Sequence, residues 1–281
     1  MRSLFPLRSS QKSSQSQKEK ERRVGFRIEK RQKFVASVLF LSFILFLSEF
    51  FFPSFGIVVA FMIGVLADVL FFFSMYQKGV EKPHKQAYIL PFLYSLAFGL
   101  FYLLAPSRIL TRILMTSIYA IGLYSLYLSE NIFSVASIRT IALLNGARII
   151  SFVITLVSYF FIMNTIFSLR IHVIPTGLIM FAVSFLFTLF SIWTYTLEKP
   201  FFQNWKWVII ISSCLLQLGV LLWFWPTSPT VVSLYLTSIF YILLGLTHIW
   251  FDKRLFKGVL WEYIWLTVFT FVLLLVFTTW Q

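Results

Sequence analysis

Apolar residues run along this chain in blocks rather than in stripes. Phe, Leu, Ile and Val dominate nine stretches, at Phe34–Phe52, Phe55–Tyr76, Ala87–Ala105, Ile109–Leu128, Ala147–Ser168, Val173–Tyr195, Trp207–Trp225, Thr230–Trp250 and Val259–Thr279. Each has about the 17–25 residues that a hydrocarbon core of about 30 Å requires. Backbone groups in lipid must be bonded within their own segment, so each stretch is predicted to be a helix. The residue-by-residue alternation of a membrane β-barrel is absent. The expected fold is all-α, a polytopic transmembrane helical bundle of about nine spans, with eight as the alternative count.

Polar residues mark the ends of this pattern. Residues 1–33 form a basic tail, predicted to be disordered and cytoplasmic, and residues 34–281 the bundle. Ser9 to Gln17 has too little apolar surface to fold. From Lys18 onward the tail is basic, with Val24, Phe26 and Ile28 interleaved. Such a segment either stays solvated or lies on anionic lipid, gaining about 1 kcal/mol per basic residue near the surface. The first apolar run is too long for the core of a signal peptide and no small-residue cleavage site follows it, so it reads as an uncleaved anchor.

Composition agrees with lipid as the solvent. The chain is 59% apolar and 20% aromatic, with only 12% charged residues, against roughly 25% in soluble domains. A soluble fold of this length could not hide so much Phe and Leu.

The net charge of +14 changes the picture less than it promises. With the N-terminus inside, all but Arg108, Arg112 and Arg170 of the 24 Lys and Arg residues fall on the inner side. This is the positive-inside asymmetry, and it predicts a cytoplasmic N-terminus. The charge is read as an orientation signal, and nucleic acid is not expected as a partner. Trp205, Trp207, Trp223, Trp225, Trp250, Trp261 and Trp280 fall at span ends, where amphipathic rings prefer the headgroup level.

One passage breaks the block pattern: Ser129 to Phe152, "SENIFSVASIRTIALLNGARIISF". Ser129 suits an N-cap and Glu130 the positive start of a helix. Ile132, Val135, Ile138, Ile141 and Leu144 follow one face and Asn131, Ser134, Ser137 and Thr140 another. Residues 129–146 are therefore predicted to be a cytoplasmic interfacial amphipathic helix that turns at Gly146 into the fifth span. Beyond it, Asn145, Arg148, Ser151, Thr155 and Ser158 form a polar stripe at spacings of three or four. Such a stripe either packs helices together or lines a cavity.

The second span carries Gly56, Ala60, Gly64 and Asp68, each four apart. The small residues predict close approach of another helix. Asp68 lies about 12 Å from the inner end at about 1.5 Å per residue, where an acid costs about 2.5–3.5 kcal/mol on insertion scales. It is read as a structural hydrogen-bonding group, a proton or cation site, or a catalytic acid, with Arg148 as its expected partner. Glu130 and Glu262 are expected to face water at the inner boundary, and His248, with Thr237, Tyr241 and Gln217, extends a polar interior if the seventh and eighth spans meet.

No metalloprotease, nucleophile-elbow or phosphate-loop motif occurs, and no second acid lies at the depth of Asp68 for acid–base work. The single cysteine, Cys214, can form no internal disulfide or metal site. No cofactor is expected. The nine spans, the Lys/Arg tail, the Phe richness and the "SENIF…IRTIALLNGARIISF" segment resemble uncharacterised multi-pass membrane proteins of small-genome bacteria. That resemblance implies a bacterial cytoplasmic-membrane location and carries no activity. The expected role is non-enzymatic, structural or partner-binding, with the lipid bilayer, anionic lipid near the tail and a membrane-protein partner as contacts. The alternatives are a small-molecule or proton-coupled transporter using Asp68 and the fifth-span stripe, and, third, an intramembrane lipid-modifying enzyme.

Overall fold

The computed structural model describes residues 30–51, 55–75, 85–106, 108–136, 143–197, 204–253 and 256–278. Among them are nine helices long and apolar enough to cross a membrane, so the count of nine holds and eight does not. They are α1 (Lys30–Phe51), α2 (Gly56–Met75), α3 (Ile89–Leu104), α4 (Ile109–Ala136), α5 (Leu144–Ser168), α6 (Val173–Thr196), α7 (Trp205–Trp223), α8 (Pro229–Phe251) and α9 (Lys257–Val276). A 3-10 turn, Lys85–Tyr88, precedes α3. The predicted tail lies almost wholly outside the described residues; α1 takes up its last few positions.

α5 is the hub: it packs against α3, α4, α6 and α8. To one side, α1 and α2 pair and α1 also meets α4; to the other, α6 pairs with α7. α9 leans chiefly on α8. This placement accounts for the buried hydroxyls of α5 at Ser151, Thr155, Ser158 and Thr165. A helix surrounded by protein shows hydroxyls to its neighbours rather than to hydrocarbon.

Close approach is set by small residues. A Cβ added at Gly99 of α3 would stand 2.8 Å from the Cβ of Ala60 on α2 and 3.0 Å from its Cα. The backbones of α2 and α3 are therefore in direct contact, as the Gly56–Ala60–Gly64 face predicts. Gly64 packs under Phe92, and Gly56 under Leu103. At α8, the Tyr263 hydroxyl of α9 fills the space a Cβ on Gly245 would need.

Hydroxyl groups in the spans are mostly bonded to their own helix. Ser42, Thr155, Ser158, Thr165, Ser212 and Thr247 each donate to the carbonyl four residues back. A smaller set ties helices together. Ser37 and Ser74 join α1 to α2 (3.0 Å), Ser95 and Tyr119 join α3 to α4 (2.9 Å), and Tyr159 and Ser184 join α5 to α6 (3.1 Å). Tyr127 of α4 donates to the Ala67 carbonyl of α2 at 2.8 Å.

The passage read as an interfacial helix is different in part. Residues 129–136 are the last two turns of α4, and Ser129 is no N-cap: its hydroxyl donates to the Ser125 carbonyl inside the helix. Glu130 does not face water; it is fully buried, with Phe133 one turn further on packed against Trp193 of α6. Gly146 lies within the first turn of α5, so the chain turns before it. Residues 137–142 lie outside the described set. The 28 residues of α4 span about 42 Å at about 1.5 Å each, so the surplus length over the bilayer core falls in α4 itself.

Candidate polar cleft at the end of α5

The start of α5 meets the ends of α6 and α8, and the meeting is organised by Arg148. A helix leaves its last carbonyls without N–H partners. At the end of α6, Leu197 adopts a left-handed conformation (φ 49°) and its N–H bonds to Trp193. Arg148 satisfies the next two carbonyls. Its Nε donates to Thr194 at 3.2 Å and its Nη2 to Tyr195 at 2.7 Å. The guanidinium carbon also lies 4.9 Å from the centre of the Tyr195 ring. A cation is favoured here because a helix C-terminus carries about half a negative charge.

Tyr195 in turn stacks on the His248 ring of α8, with centroids 4.3 Å apart and planes 6° from parallel. Its hydroxyl donates to the Asp252 carboxylate just past α8. His248 Nε2 lies 3.5 Å from the Ser191 hydroxyl, at the limit of a hydrogen bond, and its ring meets the edge of Phe152.

Between these groups is a cleft of about 150 Å³. Arg148, Ser151 and Thr155 of α5 line it, with Ser191 and Tyr195 of α6 and His248 of α8. Phe152, Phe190 and Ile149 supply apolar wall. Thr155 spends its proton on the Ser151 carbonyl. Ser151 is different: it is 2% exposed and its hydroxyl has no hydrogen-bond partner among the described residues. A buried polar group left so costs about 1–3 kcal/mol. One turn further into the bundle Tyr159, Phe187 and Phe240 are fully buried and packed on one another, with Tyr159 stacked on Phe240 at 4.3 Å. Across α5, α6 and α8 these rings form a plug.

Of the stripe expected on α5, the cleft gathers Arg148, Ser151 and Thr155. Asn145 is exposed, being on the free first turn of the helix. Ser158 is buried but lies beyond the lining and bonds to the Ile154 carbonyl. Asp68 is elsewhere. Its helix packs on α1 and α3, with Tyr88 and Tyr127 close enough to feel its charge. Asp68 Oδ1 is buried without a hydrogen-bond partner among the described residues, and Arg148 bonds the α6 carbonyls instead of pairing with it as expected. Gln217 of α7 is exposed and joins no polar interior. Glu262 is exposed as expected.

Sequence reasoning missed the α6 side of the cleft. The run "SIWTYT" at Ser191–Thr196 was legible as a polar end to an apolar span, and orphan carbonyls there call for a donor. Among the described residues no three His, Cys, Asp or Glu side chains come together as a metal site.

Arg148→Gln is expected to lower stability by about 1.5–3 kcal/mol, the range for hydrogen bonds to a charged group. Arg148→Lys should retain part of this, since a point charge reaches the helix end but cannot fork to two carbonyls. Reversible unfolding in mixed micelles measures both. Equal stability of all three proteins would remove Arg148 from this role.

The described helices from Val38 to Phe277 lie within the match to one family model, described as a protein of unknown function (DUF5656), over residues 38–277. The chain belongs to the DUF5656 family. No curated protein and no solved structure matches it. The DUF5656 match takes in Asp68, Glu130 and every residue of the cleft, and leaves the basic tail outside it.

Proposed function

We propose that this DUF5656 protein is a non-enzymatic membrane-embedded binding protein, which receives a polar group of a lipid or membrane partner in the Arg148 cleft. The observation that carries this reading is the make-up of the cleft: Arg148 and an unpartnered Ser151 hydroxyl line it, and one turn deeper the fully buried Tyr159–Phe187–Phe240 rings support the reading that it is blind. A cleft with a floor suits holding a group more than passing one through. The charge asymmetry of the loops supports a cytoplasmic N-terminus, which puts the cleft on the cytoplasmic side. The resemblance to small-genome bacterial proteins supports the cytoplasmic membrane of a bacterium as its location, with the basic tail on anionic lipid.

The transport alternative has one observation in its favour. Asp68 Oδ1 and both oxygens of Glu130 are buried acceptors without donors, and such acids within spans often handle protons. They lie on α2 and α4, apart from the α5 stripe.

Thiol labelling in sealed vesicles separates the two readings. With Cys214→Ser as background, Ser151→Cys should react with a membrane-impermeant maleimide from the cytoplasmic face only. Phe187→Ala, which opens the plug, should not be needed for that reaction. Labelling of Ser151→Cys from both faces would sink the blind cleft and favour transport.

A further inference from the structure

The chemistry of the cleft names a ligand class. Arg148 is the one charged side chain among the lining residues. Of its five N–H donors, two are committed to the α6 carbonyls, and three remain. The committed pair fixes the guanidinium plane before any ligand arrives, which removes an ordering cost from binding. Beside it stands the Ser151 hydroxyl, 2% exposed, a donor with no acceptor. Asp252 would oppose an anion, but its carboxylate already accepts from Tyr195 and it is not a lining residue. The uncommitted donors are thus the remaining N–H groups of Arg148 and the Ser151 hydroxyl, while Thr155 and Thr194 have spent their protons on carbonyls.

The volume is also informative. A volume of about 150 Å³ is ample for a tetrahedral oxyanion. Ile149 at the rim is 66% exposed and Phe152 is half-buried, so the rim offers apolar surface along the outer face of α5.

We infer that the cleft binds a phosphate group, held by the free N–H groups of Arg148 and by the Ser151 hydroxyl. Guanidinium groups favour this oxyanion because several N–H donors meet its oxygens at once. The group comes from an anionic lipid headgroup or from free phosphate. This rests on the reading of the cleft as a binding site.

The test is a thermal titration of the full chain in a neutral maltoside detergent. The probes are dihexanoyl phosphatidic acid, dihexanoylglycerol, which lacks the phosphate, and inorganic phosphate. Phosphatidic acid should raise the unfolding midpoint saturably, as a ligand specific for the folded state does. Ser151→Leu, which fills the cleft, should weaken its apparent affinity at least about tenfold, a difference of about 1.4 kcal/mol. Ser151→Ala, which only deletes the hydroxyl and suits a helix, gives the same direction with a smaller loss and stands in if the leucine variant does not fold. Saturation by inorganic phosphate at similar concentrations assigns free phosphate; response to the lipid alone assigns the headgroup. An equal shift with dihexanoylglycerol, an unchanged response in both Ser151 variants, or no shift with either phosphate probe overturns the inference. If Ser151→Cys is still labelled from one face in that case, the cleft stands as a binding site and only its phosphate assignment falls.

Discussion

Replacing Glu130 by leucine makes the folded bundle more stable, by about 1–3 kcal/mol in reversible micelle unfolding. Glu130 is fully buried on α4, and neither carboxyl oxygen has a hydrogen-bond partner among the described residues. Tyr127 and Phe133, a turn to either side on the same face, are buried aromatic residues. Ionised, the group is a buried charge without a counter-charge; protonated, its hydroxyl has no acceptor. Either form carries a desolvation cost that a hydrocarbon side chain does not. Leucine is close in volume, so neither a cavity nor overpacking offsets the gain. Glu130→Gln should fall between wild type and leucine, since it removes the charge but keeps an unsatisfied amide. A clear loss of stability in Glu130→Leu would mean that donors hold the carboxyl and that it is no isolated acid.

Gly99→Ala should act in the opposite sense, costing about 1–3 kcal/mol as overpacking does. The new methyl would meet backbone and Cβ atoms of Ala60 at 3.0 and 2.8 Å, and backbone cannot rotate away as a flexible side-chain tip can. α2 and α3 would have to separate along their whole contact. Ala60→Gly in the same chain removes the nearer clash and should recover part of the loss, giving a coupling of about 0.5–3 kcal/mol in a double-mutant cycle. Gly146→Ala is the control. A Cβ there meets nothing within 4 Å, so only helix propensity acts, and that favours alanine. Independent effects at Gly99 and Ala60 would show that the two helices do not meet there.

How far the fold was legible follows from what each signal depends on. Span number and type depend on local hydropathy, and Trp205 and Trp223, predicted to sit near boundaries, are the first and last residues of α7. The small-residue face of α2 was legible for the same reason: spacing of four needs no partner to be seen. Partner identity did need one. Nothing in the residues around Arg148 says whether it faces Asp68 or the end of α6. Glu130 was misplaced because its neighbours Asn131 and Ser134 are polar, which suggests a surface. The burial comes from packing of α4 on α1 and α5, a non-local fact. Of the cleft, sequence reasoning marked the α5 stripe and His248. It could not mark Tyr195, whose importance lies in the ring stacked on it and the guanidinium beside it.

The way α9 is attached has a consequence for biogenesis. Its main support is α8, through Tyr263 seated over Gly245, while Trp225, just past α7, donates to the Thr278 hydroxyl just past α9. The helices that build the cleft and its plug are all earlier in the chain. By the time α9 leaves the insertion machinery, α3, α4, α6 and α8 are already available to pack around α5. α9 is therefore a late addition that covers one flank of that assembly, and its partition between protein and lipid rests chiefly on its packing against α8 through Tyr263 and the buried Leu274.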